Sequence, residues 1–74
     1  EHVEALEILY QEAMDRACAV GGEYYARTAT TLTELEADAH CALEAQRYHD
    51  FDRILAEIKR LADHADSVAD SQSS

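Results

Sequence analysis

The sequence predicts an all-α protein, a small antiparallel helical bundle, on three observations. There is no Pro, and the two Gly stand side by side at Gly21 and Gly22. The other residues are mainly Ala, Glu, Leu, Asp and Arg, which favour helices or helix ends, and strand signals are nearly absent. Apolar residues recur at three- and four-residue spacings along most of the chain. Seventy-four residues make one domain at most. The 47% hydrophobic content overstates the core, since fourteen of those residues are Ala and only thirteen are Val, Ile or Leu. Each buried methylene is worth about 0.8 kcal/mol, so Ala-rich helices gain little per residue. A homodimer that enlarges the core is therefore expected.

The first helix is expected over residues 2–20. Val3, Leu6, Leu9, Tyr10, Ala13, Ala17 and Val20 form one face, which Ile8 and Met14 widen. Glu1, Glu4 and Glu7 lie near the amino end, where the helix dipole favours negative charge. Gly21 follows as the residue just past the helix, where a left-handed conformation costs glycine nothing.

The second helix is expected over residues 23–46, on Tyr25, Thr28, Ala29, Leu32, Leu35, Ala39, Ala42 and Gln46. Four Thr lie between residues 28 and 33, and β-branched residues are mediocre helix formers. Thr31 and Glu34 also fit a capping box, which would start the helix near Thr31. The apolar spacing survives the Thr run and favours one continuous helix. The next turn is expected at Gln46-Arg47-Tyr48-His49, where the stripe changes phase. Asp50 is the expected N-cap before Phe51. The rival is an uninterrupted helix from 23 to 68, a long helical hairpin completed by dimerisation through a coiled-coil seam.

The third helix, over residues 50–69, has the cleanest stripe. Phe51, Ile54, Leu55, Ile58, Leu61, Ala62, Ala65 and Val68 share one face. The first five of these are the expected core and, in a dimer, the seam. A single domain over 1–69 with a flexible tail over 70–74 follows.

The net charge of −10, from sixteen acids against six Lys and Arg, argues against direct nucleic-acid binding and against an anionic membrane surface. It permits a basic protein partner, a bound cation, or simple solubility. Helix one carries Glu1, Glu4, Glu7, Glu12 and Asp15, and helix two Glu34, Glu36, Asp38 and Glu44. Helix three is balanced, with Arg53, Lys59 and Arg60 near Glu57 and Asp63. The surface expected to meet a partner is therefore on helices one and two, at Glu4, Glu7, Glu34 and Glu36. Tyr24 joins them as a residue type enriched in binding surfaces, and Tyr48 at the opposite turn shares that quality. This points to a non-catalytic adaptor or inhibitor docking a helical, acidic face on a partner protein, of which a basic nucleic-acid-handling protein met by nucleic-acid mimicry is one kind; a merely solvated acidic face is the plainer alternative. Neither a signal peptide nor a transmembrane span is visible, so a cytoplasmic location is expected.

The His and Cys residues offer two chemical alternatives. Glu36, His40 and Glu44 stand at i, i+4 and i+8, on one side of helix two. Folding back at the Gly pair brings His40 near residue 3 and hence near His2, a nitrogen and oxygen set for Zn²⁺ or Fe²⁺. The spacing differs from the Glu-x-x-His of di-iron bundles, and acid–His pairs are common on solvated helices. A metal-binding bundle is thus the alternative, and the leading reading needs no cofactor. The same fold-back puts Cys18 opposite Tyr25, with Cys41 sixteen residues further on, or about 24 Å. A disulfide needs Cα atoms within about 7 Å, so both cysteines read as small packing residues. His40 and Cys41 point about 100° apart on a helix, and no phosphate loop or dinucleotide fingerprint occurs, so no enzyme is expected.

Overall fold

Two backbone breaks divide the chain into three helices. In the computed structural model, which describes residues 2–73, α1 spans His2–Val20, α2 Gly22–Glu44 and α3 Tyr48–Ser73. Each helix packs on both of the others, in a bundle of 44 × 17 × 16 Å. The chain is an all-α three-helix bundle, with α2 antiparallel to α1 and α3. Glu1 and Ser74 lie outside the described residues.

Gly21 and Gly22 make the first break, with φ of 76° and 60°. Gly21 has ψ of −170°. This is not the left-handed helical cap expected there but a region open essentially to glycine alone. The single residue closes one helix and opens the next. Its N–H donates to the Ala17 carbonyl at 3.0 Å, and its own carbonyl accepts from the Tyr25 N–H at 3.1 Å.

The second break has no glycine, yet it closes by a full Schellman motif. The Arg47 N–H donates to the Ala42 carbonyl at 2.8 Å and the Gln46 N–H to the Leu43 carbonyl at 3.1 Å. Gln46 holds the left-handed position, with φ of 61°. This break is what overturns the uninterrupted helix from 23 to 68. A side chain at that φ costs about 1–2 kcal/mol, part of which glycine returns as unfolded-chain entropy. Gln46→Gly is expected to stabilise the protein by about 0.5–1 kcal/mol, read as a rise in Tm of a few degrees. A lower Tm would mean that Gln46 makes a contact of its own.

α3 then begins two residues earlier than expected. The Phe51 N–H donates to the Arg47 carbonyl at 3.0 Å, so Arg47, not Asp50, occupies the N-cap position. Asp50 lies within the first turn, where its charge suits the helix dipole. At the other end α3 runs through Ser73, so residues 70–73 continue the helix past the expected boundary at 69.

The Thr run does not interrupt α2, and no capping box forms at Thr31. Thr30, Thr31 and Thr33 each donate a hydroxyl hydrogen bond to the carbonyl four residues back, at 3.1, 3.2 and 2.9 Å. These bonds satisfy the hydroxyls without drawing on the helix N–H groups.

The core is thin and built largely of alanine. Leu6, Leu32, Phe51 and Ile58 are its large fully buried side chains, joined by Ala13, Ala17, Ala39, Ala42, Ala62 and Ala65. Ile54, Leu55 and Leu61 are half-buried against it. The α3 stripe is thus covered by α1 and α2 of the same chain. Val3 and Ile8, expected in the core face, are instead 45% and 58% exposed. Ile8 follows the buried Leu6 by two residues, about 200° around the helix, so it faces away from the bundle axis.

Candidate interaction site

The hydroxyl pair Tyr10 Oη and Thr33 Oγ1, 3.3 Å apart, marks the register of α1 against α2. Counting from it in opposite directions puts Glu7 level with Glu36 and Val3 level with His40. His2 sits against the start of α3. Its ring stacks on Tyr48 at 5.5 Å and meets the edge of Phe51 at 5.5 Å. One end of the bundle therefore gathers the start of α1, the end of α2 and the start of α3.

That end carries an open groove of about 680 Å³, lined by Val3, Ile8, Leu43 and Tyr48 with His2, Glu4 and Glu7. Among the described residues, the large hydrophobic side chains left exposed are Val3, Ile8 and Tyr48, the last at 49%. All three line this groove. The exposed apolar surface of the described residues is thus gathered at one end of the bundle.

The charge around the groove is of one sign along α1 and α2. Neither helix has a Lys or Arg between His2 and Asp15 or between Thr28 and Glu44. The arginines are engaged elsewhere. Arg16 reaches Asp63 and Asp66 at 3.9 and 3.5 Å, Arg27 pairs with Glu23 at 3.2 Å and Arg60 with Glu57 at 3.1 Å. Arg47 and Arg53 both hold Asp50, at 2.9 and 2.7 Å. Glu7, Glu34, Glu36, Asp38 and Glu44 make no ion pair among the described residues.

Asp50 has a lowered pKa. The hydrogen bond from Arg53 is the main cause, with the charges of both arginines adding to it, and together they hold its pKa below the usual 3.8. A lowered folded value means that its contribution is fully present above that figure and is lost as pH falls through the lower one. Its two arginine pairs lie at the surface beside the α2–α3 turn, where such pairs contribute little to stability. These residues edge a second, more polar groove of about 460 Å³ between α2 and α3, which also holds Asp38, Cys41 and Glu57.

The residues singled out from the sequence are dispersed by the fold. Glu4 and Glu7 line the apolar groove, Glu36 is half-buried level with Glu7, and Glu34 is exposed. Tyr24 lies toward the far end, its ring 6.0 Å from that of His64 and its hydroxyl buried with no hydrogen-bond partner among the described residues. The hydroxyl is turned inward, not offered to a partner. An unpaired buried hydroxyl costs about 1–3 kcal/mol, so Tyr24→Phe is expected to leave stability unchanged or raise it by about 1 kcal/mol. A thermal melt showing a loss would reveal a partner for the hydroxyl.

Among the described residues no three His, Cys, Asp or Glu side chains converge as a metal site requires. Glu36, His40 and Glu44 share a side of α2 without closing on one point, and His2 is drawn to the rings of α3. Cys18 and Cys41 are free, as their separation demands, but both are exposed, which corrects their reading as packing residues. The apolar lining of the groove is not evident from the sequence, whose periodicity places Val3 and Ile8 on the core face. The usable signal was the phase of Ile8 relative to Leu6. Among the described residues no helix is long and apolar enough to cross a membrane. No protein-family model, curated protein or solved structure matches this chain.

Proposed function

We propose that this protein is a non-catalytic interaction module, an adaptor or inhibitor that docks the acidic end of α1 and α2 on a basic protein. The observation that supports it best is the segregation of charge. Glu7, Glu34, Glu36, Asp38 and Glu44 lie on α1 and α2 outside every ion pair among the described residues, while the arginines are held by other acids. Carboxylates unpaired within the chain keep their field for a partner, and such a field speeds encounter and selects cationic surfaces. A basic groove built for nucleic acid is the surface that rows of helix-borne carboxylates imitate most directly. The two exposed free cysteines suit a reducing, cytoplasmic setting.

The test joins affinity capture with titration of the recovered protein. The variant Glu4→Gln/Glu7→Gln/Glu34→Gln/Glu36→Gln is expected to bind at least about tenfold more weakly, and binding by the parent chain should fade as salt screens the pairs. Affinity unchanged by both the substitutions and salt would sink this reading.

A further inference from the structure

We infer that the groove of Val3, Ile8, Leu43 and Tyr48 seats the apolar face of a cationic amphipathic helix, whose flanking Lys or Arg side chains meet Glu7 and Glu4. The inference rests on the acidic-end reading above and adds an anchor to it. A surface that worked by charge alone would have no use for Ile8 held 58% exposed beside Tyr48 at 49%. Both line one groove together with Glu4 and Glu7. Apolar and acidic side chains thus share one lining, the combination by which a groove receives an amphipathic helix, with anchors one turn apart entering it.

Charge decides between the occupants. A second copy seated about a two-fold axis brings each patch onto itself. It would set Glu7 and Glu4 of one chain near those of its partner, between molecules of net charge −10. An anionic membrane surface meets the same repulsion. A helix with Lys or Arg beside its apolar face meets attraction from the acidic side chains and burial against the apolar ones.

The test uses the whole chain and two synthetic peptides of about 14 residues, both made of Leu and Lys in equal proportion. One places Leu at helical i, i+3, i+4 and i+7 positions, and the other disperses them around the helix. Fluorescence anisotropy is expected to show one-to-one binding of the first, about tenfold or more tighter than the second. Ile8→Ser should erase most of that difference with an unchanged melting temperature, since Ile8 is already exposed, and Tyr48→Ser should repeat the effect. Glu7→Gln should weaken both peptides alike. Equal affinity for the two peptides, with Ile8→Ser silent, would overturn the anchor and leave the acidic-end reading standing. Failure of both peptides to bind would overturn the two together. A dimer in sedimentation that Ile8→Ser dissolves would replace the cationic helix by a second copy of the chain.

Discussion

Ile58→Asp is expected to abolish the folded state, whereas Ile54→Asp is expected to weaken it and leave it standing. A domain of 74 residues holds about 4–11 kcal/mol in total. Ile58 is fully buried in the core that also holds Leu6, Leu32 and Phe51. Truncating such a side chain costs about 2–5 kcal/mol. A carboxylate left there unpaired adds several kcal/mol more, or must bind a proton to remain. The sum reaches the whole stability. The core has little means of relaxing, because most of its other buried members are Ala, whose side chains have no rotamers to rearrange. Ile54 is only half-buried, so an Asp there reaches water and the cost falls to about 1–3 kcal/mol. Helicity followed by circular dichroism should show no cooperative melt for Ile58→Asp and a lowered but cooperative melt for Ile54→Asp. A cooperative melt of Ile58→Asp near the parent temperature would remove Ile58 from the centre of the core.

The contrast between those neighbouring positions shows what periodicity conveys. It places Phe51, Ile54, Leu55, Ile58 and Leu61 on one face of α3, and all five do pack on the core. It does not rank them, because depth depends on where α1 and α2 cross that face. The three-helix architecture was legible in the glycine pair and in the change of phase near residue 46. The manner of the second break was not. Gln46 in the left-handed region is chosen by the hydrogen bonds from Arg47 and Gln46 back to Ala42 and Leu43, and Gln carries no propensity that announces it. Asp50 drew the expected helix start onto itself because it is a good cap by type, although here it serves two arginines from within the first turn. The acids of the candidate site were visible as charge. Its apolar lining was not, since Val3, Ile8 and Tyr48 become neighbours only when three helix ends meet.

Gly21→Ala is expected to cost about 1–3 kcal/mol, a fall in Tm of about 5–20 °C, and the cause can be isolated. An added Cβ would find nothing closer than the Cys18 carbonyl oxygen, at 3.8 Å, which is ordinary contact. The penalty therefore lies in the torsions alone, φ of 76° with ψ of −170°, which L-residues scarcely populate. The mirror image of that pair lies in the polyproline region, which is freely allowed. A D-residue sees the mirrored map, so a synthetic chain with D-alanine at position 21 should melt well above the L-alanine variant, and near or above the parent. Equal losses for the two enantiomers would show that crowding, not backbone strain, makes Gly21 necessary. The turn also bears on the proposed site, because it joins α1 directly to α2 and so helps hold the register that sets Glu7 level with Glu36. A strained turn that shifts this register should disturb peptide binding at the far end of the bundle before the helices themselves melt. Anisotropy measured on Gly21→Ala below its melting temperature would detect that shift.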